Sequence, residues 1–158
     1  IAYGNSVVIS VGNGGVISRS TDDGGTWSAG ISNAFATASD IIFDIDYGNG
    51  IFIAVGASTT AMLYSDDDGV TWTAPTTLPT TSSLDAITYI DGTTWFCGLY
   101  ATNPYVYKST DSGDTWGTAI DVGAGSGYGL RGMAYGNGSL VATLNHSVSG
   151  WAVYRSND

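Results

Sequence analysis

The sequence predicts an all-β chain folded as a β-propeller of four-stranded antiparallel blades, about three and a half of them. Three observations carry that prediction. The octapeptide Ser-x-Asp-x-Gly-x-Thr-Trp occurs at Ser20–Trp27, Ser65–Trp72 and Ser109–Trp116 and begins again at Ser156, so it recurs every 44 to 47 residues. A fixed period in the forties marks propeller blades. A hairpin signal precedes each octapeptide in phase: Tyr3-Gly4-Asn5-Ser6, Tyr47-Gly48-Asn49-Gly50, Tyr89-Ile90-Asp91-Gly92 and Tyr135-Gly136-Asn137-Gly138. Asn-Gly or Asp-Gly between apolar runs closes a two-residue turn because both residues tolerate positive φ. No helical periodicity appears anywhere.

The second repeat shows the unit most clearly. Residues 41–47 form the innermost strand A, 51–55 strand B and 61–64 strand C, and 71–73 begin strand D. Alternation is imperfect in A and B, as expected for strands covered on both faces by neighbouring blades. The octapeptide falls where C turns into D. There the Asp or Ser side chain can accept bonds from backbone amides just ahead, and Gly24, Gly69 and Gly113 permit a left-handed backbone. Trp27, Trp72 and Trp116 follow and can lie over the turn. Ser20, Asp22, Ser65, Asp67, Ser109 and Asp111 are accordingly assigned a structural role, and the whole chain, 1–158, reads as one propeller segment with blades at about 1–40, 41–83, 84–129 and 130–158.

The octapeptide resembles the Asp-box, or bacterial neuraminidase repeat, and the resemblance covers essentially the whole chain. Proteins with that repeat include sialidases, other glycoside hydrolases, photosystem assembly factors, sorting receptors and many virion or surface proteins, so it implies the fold far more than the activity. Tyr-Gly-Asn-Gly, the run Ile51-Phe52-Ile53-Ala54-Val55-Gly56 and the octapeptide together are similar to sialidase-like repeats of bacterial and phage surface proteins. An extracellular or virion-surface location is what this implies.

Composition and charge narrow the classes further. There are 23 Gly, 12% aromatic residues and one cysteine, Cys97, which aligns with Ser10, Ala54 and Ala142 at a small core position. One thiol supports neither a disulfide framework nor a zinc site, and no cofactor or metal is implied. Four basic against 14 acidic residues give a net charge of −10, which offers no electrostatic footprint for nucleic acid or an anionic membrane. No run of eighteen apolar residues predicts a membrane-spanning helix. The chain opens within an A strand and stops in the fourth octapeptide, before any D strand. Since propellers typically close with four to eight blades, the expectation is either the remainder of a longer chain or a homo-oligomer completing the ring.

Functional residues are expected away from the repeated turns. The A–B turns and octapeptides share one end of the blades, whereas the non-repeating B–C loops and D–A connections crowd the other, where a site would be grafted. Phe43, Asp85 and Arg131 occupy one repeat position near that end. An Asp and an Arg replacing an apolar residue suit a polar ligand, or else a mutual ion pair in a wet channel. His146 is the only histidine and lies beside Asn145 in the B–C loop expected at 145–150, with no assignable partner. Trp95 aligns with Val8, Phe52 and Leu140 and reads as core. Tyr100, Tyr105, Tyr128 and Trp151 have no repeat equivalents of their type and can stack on sugar faces or simply pack. Tyr100, Asn103, Asn145, His146 and Trp151, with Asp85 and Arg131, are the candidate ligand contacts.

A catalytic role meets a specific obstacle. The sialidase resemblance implies three arginines, a Tyr–Glu nucleophile pair and an Asp acid/base. Of Arg19, Arg131 and Arg155 only Arg131 is suitably placed, and the sequence contains no glutamate. An Asp pair such as Asp44 and Asp85 remains as the hydrolase alternative. The sequence therefore points to a non-catalytic recognition module for a surface glycan or partner protein, with an Asp-based glycoside hydrolase or a pure assembly scaffold as alternatives.

Overall fold

The computed structural model describes residues 1–28, 40–57, 61–80, 82–99, 103–126, 128–146 and 150–156. Its thirteen strands are β1 (Ala2–Gly4), β2 (Val7–Val11), β3 (Ile17–Ser20), β4 (Ile41–Gly48), β5 (Ile51–Ala57), β6 (Met62–Ser65), β7 (Leu84–Asp91), β8 (Thr94–Leu99), β9 (Tyr105–Ser109), β10 (Ile120–Asp121), β11 (Tyr128–Gly136), β12 (Ser139–His146) and β13 (Gly150–Arg155). They form four antiparallel sheets in sequence order: β1-β2-β3, β4-β5-β6, β7-β8-β9-β10 and β11-β12-β13. These are successive propeller blades, here blades 1 to 4, and within the chain they do not close a ring. The first strands lie side by side, β1 on β4, β4 on β7 and β7 on β11, which makes them the inner, channel-lining strands. No helix among the described residues is long and apolar enough to cross a membrane.

The fourth strand is less complete than the repeat suggests. Among the described residues only blade 3 has one, β10. In blade 2 it is a single bridge between Tyr64 and Thr73. Pro75 and Pro79 follow at once, and proline cannot donate to a ladder, so pairing stops there.

Strand register confirms the repeat alignment residue by residue. Tyr3, Tyr47, Tyr89 and Tyr135 pair with Val8, Phe52, Trp95 and Leu140. Because side chains alternate along a strand, this register sends one set of each blade's residues toward the preceding blade and the other toward the following one. Three cores result. Val7, Ile9 and Ile17 meet Ile45, Phe52 and Ala54 between blades 1 and 2. Ile53, Val55 and Met62 meet Ile87, Trp95 and Cys97 between blades 2 and 3. Val106 meets Leu130, Ala142 and Leu144 between blades 3 and 4. Cys97 is fully buried, and burial pushes its thiol well above the usual range, which makes it inert.

The octapeptides fold identically. The buried hydroxyls of Ser20, Ser65 and Ser109 accept the amides of Gly24, Gly69 and Gly113 at 2.9 to 3.0 Å and donate to Asp22, Asp67 and Asp111 at 2.8 Å. Each carboxylate also takes the amide and hydroxyl of the threonine that follows, Thr26, Thr71 or Thr115. The indole N–H of Trp27, Trp72 and Trp116 donates to the glycine carbonyl of the same turn. The glycines sit at φ +80 to +87°, a conformation that a side chain would strain.

These turns predict a pH response. Hydrogen bonds from Thr26 and Ser20, and from Thr71 and Ser65, favour ionised Asp22 and Asp67 and hold both at about 2, below the ordinary 3.8. At Asp111 burial pushes upward, but bonds from Thr115 and Ser109 leave it lowered. A carboxyl lowered on folding stabilises the fold above its unfolded pKa and loses that contribution as pH falls toward the folded value. The thermal midpoint should therefore fall as pH drops from about 4 to about 2. Asp22→Asn with Asp67→Asn should flatten that limb of the profile, and an unchanged slope in calorimetry would refute the assignment.

Candidate functional site

Antiparallel register breaks at one repeat position in three consecutive blades. Ile42 pairs with Gly56 and Asp44 with Val55, leaving Phe43 as an extra residue. Leu84 pairs with Leu99 and Ala86 with Gly98, leaving Asp85. Leu130 pairs with Leu144 and Gly132 with Thr143, leaving Arg131. A bulge bends its strand and re-aims the extra side chain, so each inner strand turns one non-repeating residue out of the ladder. The turn end lies opposite: Asn5 of the blade 1 A–B turn donates to Asp68 of the blade 2 octapeptide at 2.9 and 3.0 Å.

Two of these residues are joined. The Arg131 guanidinium donates to Asp85 Oδ2 at 2.9 Å across the blade 3–4 boundary, and the Ser83 hydroxyl donates to Asp85 Oδ1 at 3.2 Å. The carboxylate side chain is 5% exposed and the guanidinium side chain 38%. Burial pushes the Asp85 carboxyl up, and the Arg131 charge opposes it. Asp85 thus anchors an arginine whose side chain is partly exposed, while Phe43 stands 43% exposed at the same level of the propeller.

The channel acids serve the backbone. Asp44 accepts the amide of Ile45 at 2.9 Å and, from the next blade, that of Ile87 at 3.0 Å. Asp46 repeats the arrangement two residues on, with the amides of Tyr47 and Tyr89 at 2.8 Å each. These carboxylates tie β4 to β7 where inner-strand amides would otherwise lack partners. Burial raises the Asp44 pKa, against the amide bonds. A cleft of about 430 Å³ opens along this wall, lined by Asp44, Asp46, Thr88, Met133 and Tyr135 among others. Asp44 commits both oxygens to amides and Asp85 is held by Arg131, so the two are not arranged as a free acid and nucleophile.

The remaining candidates fall partly in strands. Asn145 and His146, expected in a loop, belong to β12: Asn145 pairs with Gly129 and Trp151, and His146 with Tyr128 and Gly150. The hairpin ladder runs further than the sequence suggests, since neither residue is a proline, which would withhold a ladder hydrogen bond. Trp151, on β13, is 72% exposed. Asn103 is half-buried and donates to the Tyr105 hydroxyl at 3.5 Å, a long contact. Tyr100 lies outside the described residues. The structure thus unites Asp85 with Arg131 and sets Asn145, His146 and Trp151 in adjoining rows, but joins Asn103 to neither group. The bulges and the Asp46 tie escaped sequence reasoning; the repeat position shared by Phe43, Asp85 and Arg131 was the one available signal.

No protein-family model and no curated protein matches the sequence. Solved structures do. YCF48 bound to D1 peptide is similar with a TM-score of 0.68 at 17% identity, over 96% of this chain and 51% of that one. A computationally designed protein, Ika4, gives 0.65 at 11% identity over 97% and 87% of the two chains. The intramolecular trans-sialidase from Ruminococcus gnavus, in complex with oseltamivir carboxylate, gives 0.57 at 16% identity over 90% and 40%. At these identities the likeness establishes the fold alone, a β-propeller shared with YCF48 and with sialidases, and the chain spans about half the length of YCF48.

Proposed function

We propose that this chain is a non-catalytic recognition module of an extracellular or virion surface, which binds a segment of a partner protein at the bulged end of its inner strands. The observation that carries this is the row of Phe43, Asp85 and Arg131. An exposed ring and an anchored, partly exposed arginine side chain are the groups that recognise a carboxylate-bearing segment, and Asp85 fixes the arginine before the ligand arrives. A propeller neighbour solved with a bound peptide supports the same class of ligand. The engagement of Asp44 and Asp85 in backbone and ion-pair contacts, together with the absence of glutamate, favours binding over hydrolysis.

A second reading, glycan binding, has its own observation: Trp151 is 72% exposed beside Asn145, a flat ring next to an amide, which suits a sugar face. Random-peptide and glycan arrays probed with the wild type, Arg131→Gln, Phe43→Ala and Trp151→Ala would separate the two. Peptide signals that fall about tenfold or more in Arg131→Gln and Phe43→Ala are expected. Signals lost only in Trp151→Ala would favour the glycan. Silence on both arrays would leave the scaffold alternative, and hydrolysis of a fluorogenic glycoside that disappears in Asp85→Asn would overturn the non-catalytic reading.

A further inference from the structure

The inner strands turn toward the channel a row of backbone amides that their own hairpin ladders do not use. In blade 2 the amides of Ile45 and Tyr47 donate to Asp44 and Asp46, and in blade 3 those of Ile87 and Tyr89 donate to the second oxygens of the same two carboxylates. Every one of these amides is capped by a carboxylate. Those of blade 3 look back to the strand of the preceding blade, β4, for their acceptors.

Blade 4 departs from this pattern. Met133 and Tyr135 pair with Ala142 and Leu140 as Ile45 and Tyr47 pair with Ala54 and Phe52, so their amides face the channel in the same way. The positions that would cap them hold no carboxylate. Ala86 and Thr88 on β7 stand where β4 has Asp44 and Asp46, and on β11 itself the same two positions are Gly132 and Ala134. Among the described residues no side chain accepts the Met133 or Tyr135 amide. Thr88 is only 6% exposed, yet its hydroxyl has no hydrogen-bond partner there either. Buried polar groups are normally matched, and these three residues line the cleft of about 430 Å³ that opens along this wall.

We infer that this cleft binds a monocarboxylate, whose carboxylate accepts the Tyr135 amide and the Thr88 hydroxyl and so does for blade 4 what Asp46 does for blade 3. The wall itself selects the class of ligand. A carboxylate is the group that satisfies each equivalent amide, and charge-assisted bonds of this kind are among the stronger ones. One charge is favoured over two, because Asp44 and Asp46 line the same cleft and repel a dianion. A free organic acid and the C-terminus of a peptide carry the same group. Arg131 takes no part in this site, so the inference does not rest on the peptide reading above.

Backbone amide NMR of the isotope-labelled chain tests this with sodium acetate, with acetyl-trialanine and with its C-terminal amide, at ionic strength held constant by sodium chloride. Acetate should move the Tyr135 resonance downfield in a saturable way, and the amidated peptide should leave it in place. Tighter binding of acetyl-trialanine than of acetate assigns the site to a chain terminus; equal or weaker binding assigns it to a free acid. Thr88→Val keeps the shape of the side chain and should lower acetate affinity about tenfold while leaving the circular dichroism intact. Thr88→Asp restores the residue type of Asp46, so the Tyr135 amide should lie downfield without ligand and no longer respond to acetate. A wild-type Tyr135 amide that acetate does not move, or that the amidated peptide moves equally, overturns the proposal. So does an acetate response that is unchanged in Thr88→Val.

Discussion

Alanine at Gly48 is expected to destabilise the fold by about 3 kcal/mol, although it adds a single methyl group to a β-strand. The physical reason is the blade 2–3 junction. A Cβ on Gly48 would lie 2.1 to 2.6 Å from the atoms of the Tyr89 ring. That ring cannot swing aside, because it packs edge-on against Trp95 at 5.1 Å and its own strand is tied to blade 2 through the amide of Tyr89 and Asp46. Close-packed interiors accommodate extra volume by displacing backbone or forcing strained rotamers. Urea unfolding of Gly48→Ala against wild type measures the effect. Gly4→Ala should behave alike, since the Tyr47 ring closes on Gly4 at the same distance. A loss below about 0.5 kcal/mol at both positions would mean that the junctions are looser than this geometry allows.

Replacement of Trp95 by alanine should cost about 3 to 5 kcal/mol, and replacement by phenylalanine far less. Trp95 is fully buried in the core between blades 2 and 3, so truncation leaves a cavity the size of an indole. Its Nε1–H, however, has no hydrogen-bond partner among the described residues. Phe52 and Leu140, at the same repeat position, fill the corresponding space without a donor. Phenylalanine forfeits part of the packing but also removes a buried donor whose desolvation costs about 1 to 3 kcal/mol, and the two effects offset. Thermal unfolding of Trp95→Phe and Trp95→Ala side by side distinguishes this from a simple volume effect. If phenylalanine costs as much as alanine, the indole N–H is satisfied after all.

The two substitutions probe what distinguishes this propeller from a stack of independent hairpins. Each blade buries its apolar residues only against a neighbour, and the ties between inner strands are carried by side chains that belong to one blade and serve the next, as Asp44 and Asp46 serve Ile87 and Tyr89. Stability is therefore a property of junctions. A blade without a neighbour exposes what the others bury, as Ile1 and Val153 do.

Much of this was legible in the chain itself. The octapeptide determines its own turn, because its Ser, Asp, Gly, Thr and Trp satisfy one another within eight residues. Its period then determines the blade, and the Tyr-Gly-Asn-Gly signal determines the first hairpin. Even the alignment of Trp95 with Phe52 and Leu140 followed from the repeat, and an irregularity between Tyr89 and Asp91 absorbs the one extra residue of that hairpin. The shared position of Phe43, Asp85 and Arg131 was visible too. That these residues are bulged was not, because a bulge is a choice made between two paired strands, and neither strand's sequence records it. The ion pair of Asp85 with Arg131, one of the readings the sequence offered, is what the structure shows; that Asp44 and Asp46 are committed to amides of the next blade was not visible. Those relations join residues more than forty positions apart and arise only when one blade is laid against another. Local chemistry settles turns and strands; adjacency across blades decides which side chains meet, and so what the propeller can bind.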